Sequence, residues 1–237
     1  MPLELHPVAP PDALAWARIR AIAYYGPTHD VLHSGPIRES SIRGVAEDRA
    51  RALAKPNLWH WKVIDTDLSP SEDDPPDNGG RTIAVSAWSM HNVKEKGEES
   101  DDSASTPAVP APPKKREEIQ SFLPPELRID ALRSLFDPLR AAQEEIMGAK
   151  DTYFMLNSLA THPDHRGRGA ATLLLDWGMK KADEEGVVTY LDATGIGKGL
   201  YEKTGFVVRQ VLEWDRKPWG GEGVDCHYCM TRQPRRL

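Results

Sequence analysis

One stretch constrains this chain more than any other: His162-Pro163-Asp164-His165-Arg166-Gly167-Arg168-Gly169-Ala170-Ala171. An apolar run, Tyr153 to Ala160, leads into it, and an amphipathic run, Ala171 to Glu185, leads out. The order is therefore strand, glycine-rich turn, helix. Glycines let a backbone approach an anion closely, and the first N–H groups of a helix have no partner inside it. The helix dipole adds partial positive charge at the same end. Arg166 and Arg168 add full charges. The stretch reads as a phosphate cradle, but not as either common type. No Lys-Ser or Lys-Thr follows the glycines, which excludes a P-loop, and the third glycine of the dinucleotide fingerprint is missing.

Arg166-Gly167-Arg168-Gly169-Ala170-Ala171 resembles the Arg/Gln-x-x-Gly-x-Gly/Ala motif of the GNAT superfamily of acetyl-CoA-dependent N-acetyltransferases. The resemblance continues downstream. Val187 to Asp192 reads as the next strand, and Leu200-Tyr201-Glu202-Lys203-Thr204-Gly205-Phe206 is similar to the superfamily's Leu-Tyr-x-x-x-Gly-Phe signature. Together they cover about the last third of the chain. The resemblance implies an α/β GNAT fold: a mixed central sheet with splayed strands, flanked by helices. It implies acetyl-CoA as co-substrate, no metal, and acetyl transfer to a primary amine by direct attack in a ternary complex. A small-molecule acceptor is expected. The rivals are a protein or peptide acetyltransferase and a non-catalytic acyl-CoA-binding module.

The same resemblance assigns residues. Arg166, Gly167, Arg168, Gly169, Ala170 and Ala171 would hold the pyrophosphate of coenzyme A. Asn157 to Thr161 would splay from the neighbouring strand, with Leu159 and Thr161 binding the pantetheine arm and acetyl carbonyl. Thr194 stands seven before Tyr201, where many relatives carry an asparagine that contacts the coenzyme. Tyr201 would protonate the leaving thiolate; a phenol with pKa near 10 keeps its proton at pH 7. The glutamate that some relatives carry on the central strand is absent, and Met155 stands there. Candidate bases are His29, His33 and Asp30, which also read simply as polar loop residues. Deprotonation through ordered water is a further alternative.

The remaining chain is compatible with this reading. Leu3 to Val8 alternates as a first strand. Pro10-Pro11-Asp12 opens a helix with Asp12 as N-cap, and Gly26-Pro27 ends it. Thr28 to Gly35 reads as a polar loop, Ile37 to Ala54 as a second helix. Trp59 to Ile64 and Thr82 to Trp88 read as strands. Between them, Asp65 to Gly80 carries five Asp, one Glu and three Pro, and is expected to be a flexible acidic loop. A stretch at 93–118 is acidic, then Ala/Pro-rich, then basic at Lys114-Lys115-Arg116, and is expected to be a disordered insertion. A helical region follows Pro124, with Leu127, Leu132, Leu135, Leu139 and Ile146 on one face and Pro138 kinking or breaking it. The whole, 1–237, reads as one domain.

Composition sets outer bounds. A net charge of −6 makes non-specific nucleic-acid binding unfavourable and suits cationic substrates. No apolar run is long enough for a transmembrane helix, and Met1 to His6 does not open a secretory signal. Two cysteines, Cys226 and Cys229, cannot make a disulfide scaffold and suit a reducing, cytoplasmic compartment. As a lone Cys-x-x-Cys they lack the second pair that zinc would need.

Overall fold

The computed structural model describes residues 2–93, 121–148 and 151–235. The expected insertion at 93–118 lies, apart from Val93, outside the described residues, as do Lys114-Lys115-Arg116.

Among the described residues, seven strands form one sheet in the order β1-β2-β3-β4-β5-β7-β6. They are β1 (Leu3–Pro7), β2 (Leu58–Asp65), β3 (Arg81–His91), β4 (Tyr153–Thr161), β5 (Val188–Thr194), β6 (Val207–Asp215) and β7 (Val224–Arg232). β4 and β5 pair parallel; the other neighbours pair antiparallel. A parallel pair needs a crossover, and α5 (Ala170–Glu185) supplies it. The remaining helices are α1 (Ala13–Ala23), α2 (Pro27–Leu32), α3 (Glu39–Ala52), α4 (Ile129–Met147) and α6 (Gly195–Lys203).

Side chains alternate across a strand, so Ala87 and Trp88 mark the two faces of the sheet. On the Ala87 face, α1 and α3 pack over Val85, Ala87 and Ala160. On the Trp88 face, α5 packs over Trp88, Phe154, Leu156 and Leu191, and α6 adds Tyr201 to the same cluster. The fit of α5 is close: a Cβ added at Gly178 would lie 2.2 Å from the Trp88 ring. The helix ends at Gly186 with φ +66, the left-handed conformation expected of a terminal glycine.

α4 carries Leu135, Leu139 and Ala142 onto Tyr153, Tyr190 and Cys229, covering the Ala87 side of β4, β5 and β7. Pro138 lies inside it without breaking it. The helix starts only at Ile129; Leu127, expected on its face, instead bridges to His33.

Two local expectations fail. The loop expected over 28–35 is largely helix α2, with Pro27 pre-set for a first helical turn. Asp12 does not cap α1 with its side chain. Its carboxylate accepts from the Ala9 N–H at 2.7 Å and from Lys62 Nζ at 2.7 Å. Lys62 is buried and needs a counter-charge, a demand stronger than a cap. The acidic connection between β2 and β3 carries its own hydrogen bonds. Buried Asp74 accepts from the Ser71 N–H and hydroxyl, and Asn78 donates to Gly80 O at 2.7 Å. Among the described residues no helix is long and apolar enough to cross a membrane.

Candidate active site

β4 and β5 run together for four residue pairs, from Tyr153–Val188 to Leu156–Leu191, and then part. β4 continues to Thr161 on β3 alone, while β5 continues to Thr194 on β7. A register shift puts Asn157 in a bulge, because Trp88 faces Leu156 and Ala87 faces Ser158. Bulges add twist and re-aim a strand. Beyond it, His162 N donates to Ile83 O across β3, so by alternation Leu159 and Thr161 turn their backbone groups toward the open side. Leu159 O there accepts from the Tyr24 hydroxyl at 3.1 Å, and the Thr161 hydroxyl is buried without a partner. The splay expected at Asn157 to Thr161 is present, with the backbone groups of Leu159 and Thr161 on its open side.

The glycine-rich loop closes one end of this cleft. A short turn, Pro163–His165, leads to Gly167 with φ +75 and Gly169 with φ +90. Both values lie in the left-handed region, where a side chain is strained. α5 then begins at Ala170, and Gly169, having no side chain, leaves its first N–H groups uncapped. The arginines do something the sequence did not show. Arg168 Nη2 lies 2.6 Å from the fully buried carboxylate of Asp65. Burial raises the Asp65 pKa, but Arg168, the Asp67 N–H and His165 together outweigh it, so the net shift is downward. Arg166 donates to Ala23 O at 3.1 Å. Both side chains tie the loop to β2 and α1, leaving the loop backbone to face an anion.

α6 closes the other end. Thr194, exposed, is its N-cap residue and makes no side-chain cap bond. Tyr201 is 8% exposed and meets Phe206 edge-on at 5.9 Å. Burial, and then the nearby Tyr24, push its pKa well above the ordinary tyrosine value. Tyr24 thus bonds the open strand of β4 and acts electrostatically on Tyr201. Nothing in its local sequence singles it out; only the fold brings the end of α1 to this point.

The candidate bases separate. His29 is buried on α2, stacked on His33 at 4.0 Å, and neither of its ring nitrogens has a partner. Burial, then His33, lowers its pKa. Asp30 is exposed. Met155 packs beneath α4. On β5, Tyr190 donates to Asp192 at 2.7 Å, a pair that sequence reasoning passed over because the strand read simply as apolar. Cys226 and Cys229 are free thiols, and among the described residues no cluster suited to a metal occurs.

No curated protein matches the sequence. A family model described as an acetyltransferase (GNAT) domain matches residues 141–208, from the end of α4 through Phe206 to the start of β6. A Corynebacterium glutamicum structure, described as histone acetyltransferase HPA2 and related acetyltransferase, superimposes with TM-score 0.57 at 15% identity, over 100% of this chain and 99% of that one. This is a GNAT acetyltransferase fold. Arabidopsis thaliana NAA60 with a bisubstrate analogue shares it at TM-score 0.53 and 12% identity, over 99% of each chain. Salmonella typhimurium yncA with its cofactor acetyl-CoA does so at TM-score 0.50 and 13% identity, over 100% of this chain and 96% of that one. At such identities the likeness is one of fold; over residues 141–208 the chain resembles a GNAT acetyltransferase domain.

Proposed function

We propose that this GNAT domain transfers the acetyl group of acetyl-CoA to a primary amine of a small molecule, by direct attack within a ternary complex. The observation that carries the reading is the parting of β4 from β5 between a glycine-rich helix start and a buried tyrosine. Each part fits one portion of the thioester. The uncapped N–H groups at Ala170 and Ala171, with Gly167 and Gly169 beside them, suit the pyrophosphate. The open backbone of Leu159 and Thr161 suits an amide-bearing arm and can polarise a carbonyl, as an oxyanion hole does. Thr194 lies at the cleft rim on β5. Tyr201, its proton held tightly by burial, can donate to the departing thiolate.

A small acceptor is favoured by what covers the Ala87 side. α2 is docked on the β6–β7 connection: the Thr28 hydroxyl donates to Asp225 at 2.6 Å, and a Cβ at Gly221 would lie 2.5 Å from Val31. Arg128 donates to Trp219 O at 2.9 Å from the start of α4. These contacts join α2 and the start of α4 to the β6–β7 connection in one wall, which suits a compact acceptor. The test is thiol release from acetyl-CoA against free amines and against peptides with free N-termini or lysines. Turnover confined to peptides would overturn the small-molecule assignment, and turnover of neither would overturn the transferase reading.

A further inference from the structure

We propose that Asp192 is the general base of this site, taking the proton from the acceptor's ammonium group so that its nitrogen can attack. This rests on the amine-acetylation reading above.

The argument is one of faces. Leu191 and Ala193 belong to the cluster under α5 and α6, which also holds Tyr201. Asp192 lies between them in sequence, so its side chain is on the opposite face, with Tyr190. Leu191 makes the last β5 pairing with β4, so Asp192 is the first side chain past the fork. The proton donor for the thiolate thus stands on one face of the parted strands. The other face, where Asp192 stands, is left for the nucleophile.

The carboxylate is partly covered and oriented. Tyr190 donates to its Oδ1 at 2.7 Å, and Cys229 is directly opposite on β7. Val31, Leu135 and Leu139, from α2 and α4, pack with Tyr190 and Cys229 and make the surroundings apolar. Burial raises the Asp192 pKa, outweighing the opposing effects of the Tyr190 hydrogen bond and the facing Cys229 thiol. The titrating groups on that face are Tyr190, Cys229, His227 two residues along β7, and Tyr153 on β4, with His29 buried on α2; Met155 on β4 brings no charge. A base shifted toward neutrality inside an apolar wall suits proton transfer from an ammonium.

The step balances. Asp192 accepts one proton from the ammonium and passes it to solvent. The freed lone pair forms the C–N bond, and the C–S bond breaks. The second proton lost by nitrogen matches the one Tyr201 gives to the thiolate. One proton is released per acetyl transferred.

The experiment compares wild type with Asp192→Asn, Tyr190→Phe and His29→Gln, using acetyl-CoA and the first primary amine that wild type turns over. Asp192→Asn is expected to lower kcat by about 10²- to 10⁴-fold. It should also abolish the acid limb of the kcat–pH profile while leaving acetyl-CoA affinity by calorimetry unchanged. Tyr190→Phe removes a donor to the carboxylate and should move that limb to higher pH. A readout without turnover is the pH dependence of melting. With its folded pKa raised, Asp192 contributes stability below its unfolded value that is lost as pH rises through the folded one; the Asn variant should lack that loss. Wild-type kcat and an intact acid limb in Asp192→Asn would overturn the assignment, as would an acid limb abolished only by His29→Gln. A wild type that acetylates no amine would overturn the transferase reading, and this inference with it.

Discussion

Replacing Tyr201 with Phe removes one oxygen from a side chain that is 8% exposed and leaves its ring edge-on to Phe206. The stability change should therefore be small, about 1 kcal/mol or less, the value of one hydrogen bond. The catalytic change should be larger. A positioned acid contributes about 10²- to 10⁴-fold. Water entering through the fork can replace part of that, so kcat is expected to fall about 10- to 1,000-fold, or about 1.4 to 4 kcal/mol of barrier at 1.36 kcal/mol per decade. Because burial holds the Tyr201 pKa above its ordinary value of 10.0, the phenol stays protonated through any practical assay range. The ratio of wild-type to variant kcat should then be constant from neutral pH up to about pH 9. It should shrink for acyl donors whose thiols leave more easily. The assay is stopped-flow thiol release with saturating acetyl-CoA, with calorimetry to show that affinity is retained. Melting gives a second check. The raised pKa contributes stability below the unfolded value that is lost as pH climbs past it, so wild type should lose ground to the variant only in strong alkali. Wild-type kcat in the variant, on an accepted amine, would refute the acid role and leave Tyr201 as a packing residue.

Gly169→Val places a branched side chain at φ +90 beside the helix start, and should weaken acetyl-CoA binding by about tenfold or more by calorimetry; unchanged affinity in a folded variant would remove the loop from the site. Gly178→Ala drives a methyl to 2.2 Å from the buried Trp88 ring. Overpacking costs about 1–3 kcal/mol and helix propensity returns about 1, so Tm should fall by a few degrees in calorimetry; a rise would mean α5 has room. Asp65→Asn leaves Arg168 without its partner and should loosen the phosphate loop, lowering acetyl-CoA affinity several-fold. With its folded pKa depressed, Asp65 contributes stability above the unfolded value that is lost as pH falls, so the Tm gap between wild type and variant should be open at neutral pH and close below the ordinary value of 3.8. A gap that persists in acid would deny the ion pair that role.

Much of the β4-to-β6 half was legible because its local signals agree. The apolar run of β4, the glycines before α5, Gly186 after it and the Tyr201-to-Phe206 signature each name an element boundary, and all fall within a residue or two of the structure. The misses share a physical cause. Asp12 looked like a cap because local preference favours it there, but Lys62, fifty residues away, takes its carboxylate. The arginines of the phosphate loop looked free because their partners, Asp65 and Ala23, lie far off in sequence. Tyr24 and Asp192 carry no motif of their own; they matter only where α1 ends and where β4 leaves β5. Long-range pairing is what a local pattern does not encode.

The fork between β4 and β5 is, in effect, a sheet edge placed in the middle of a sheet. Edges attract strands, and proteins ordinarily shield them. Here the shield would be a metabolite, whose amide-bearing arm can stand in for a strand. Folding stability then becomes tied to supply: a ligand at a hundred times its dissociation constant adds about 2.7 kcal/mol to the native state. A cell short of acyl thioesters would hold this protein in a looser, more protease-sensitive form, so that its abundance, and not only its turnover, would follow the metabolic state.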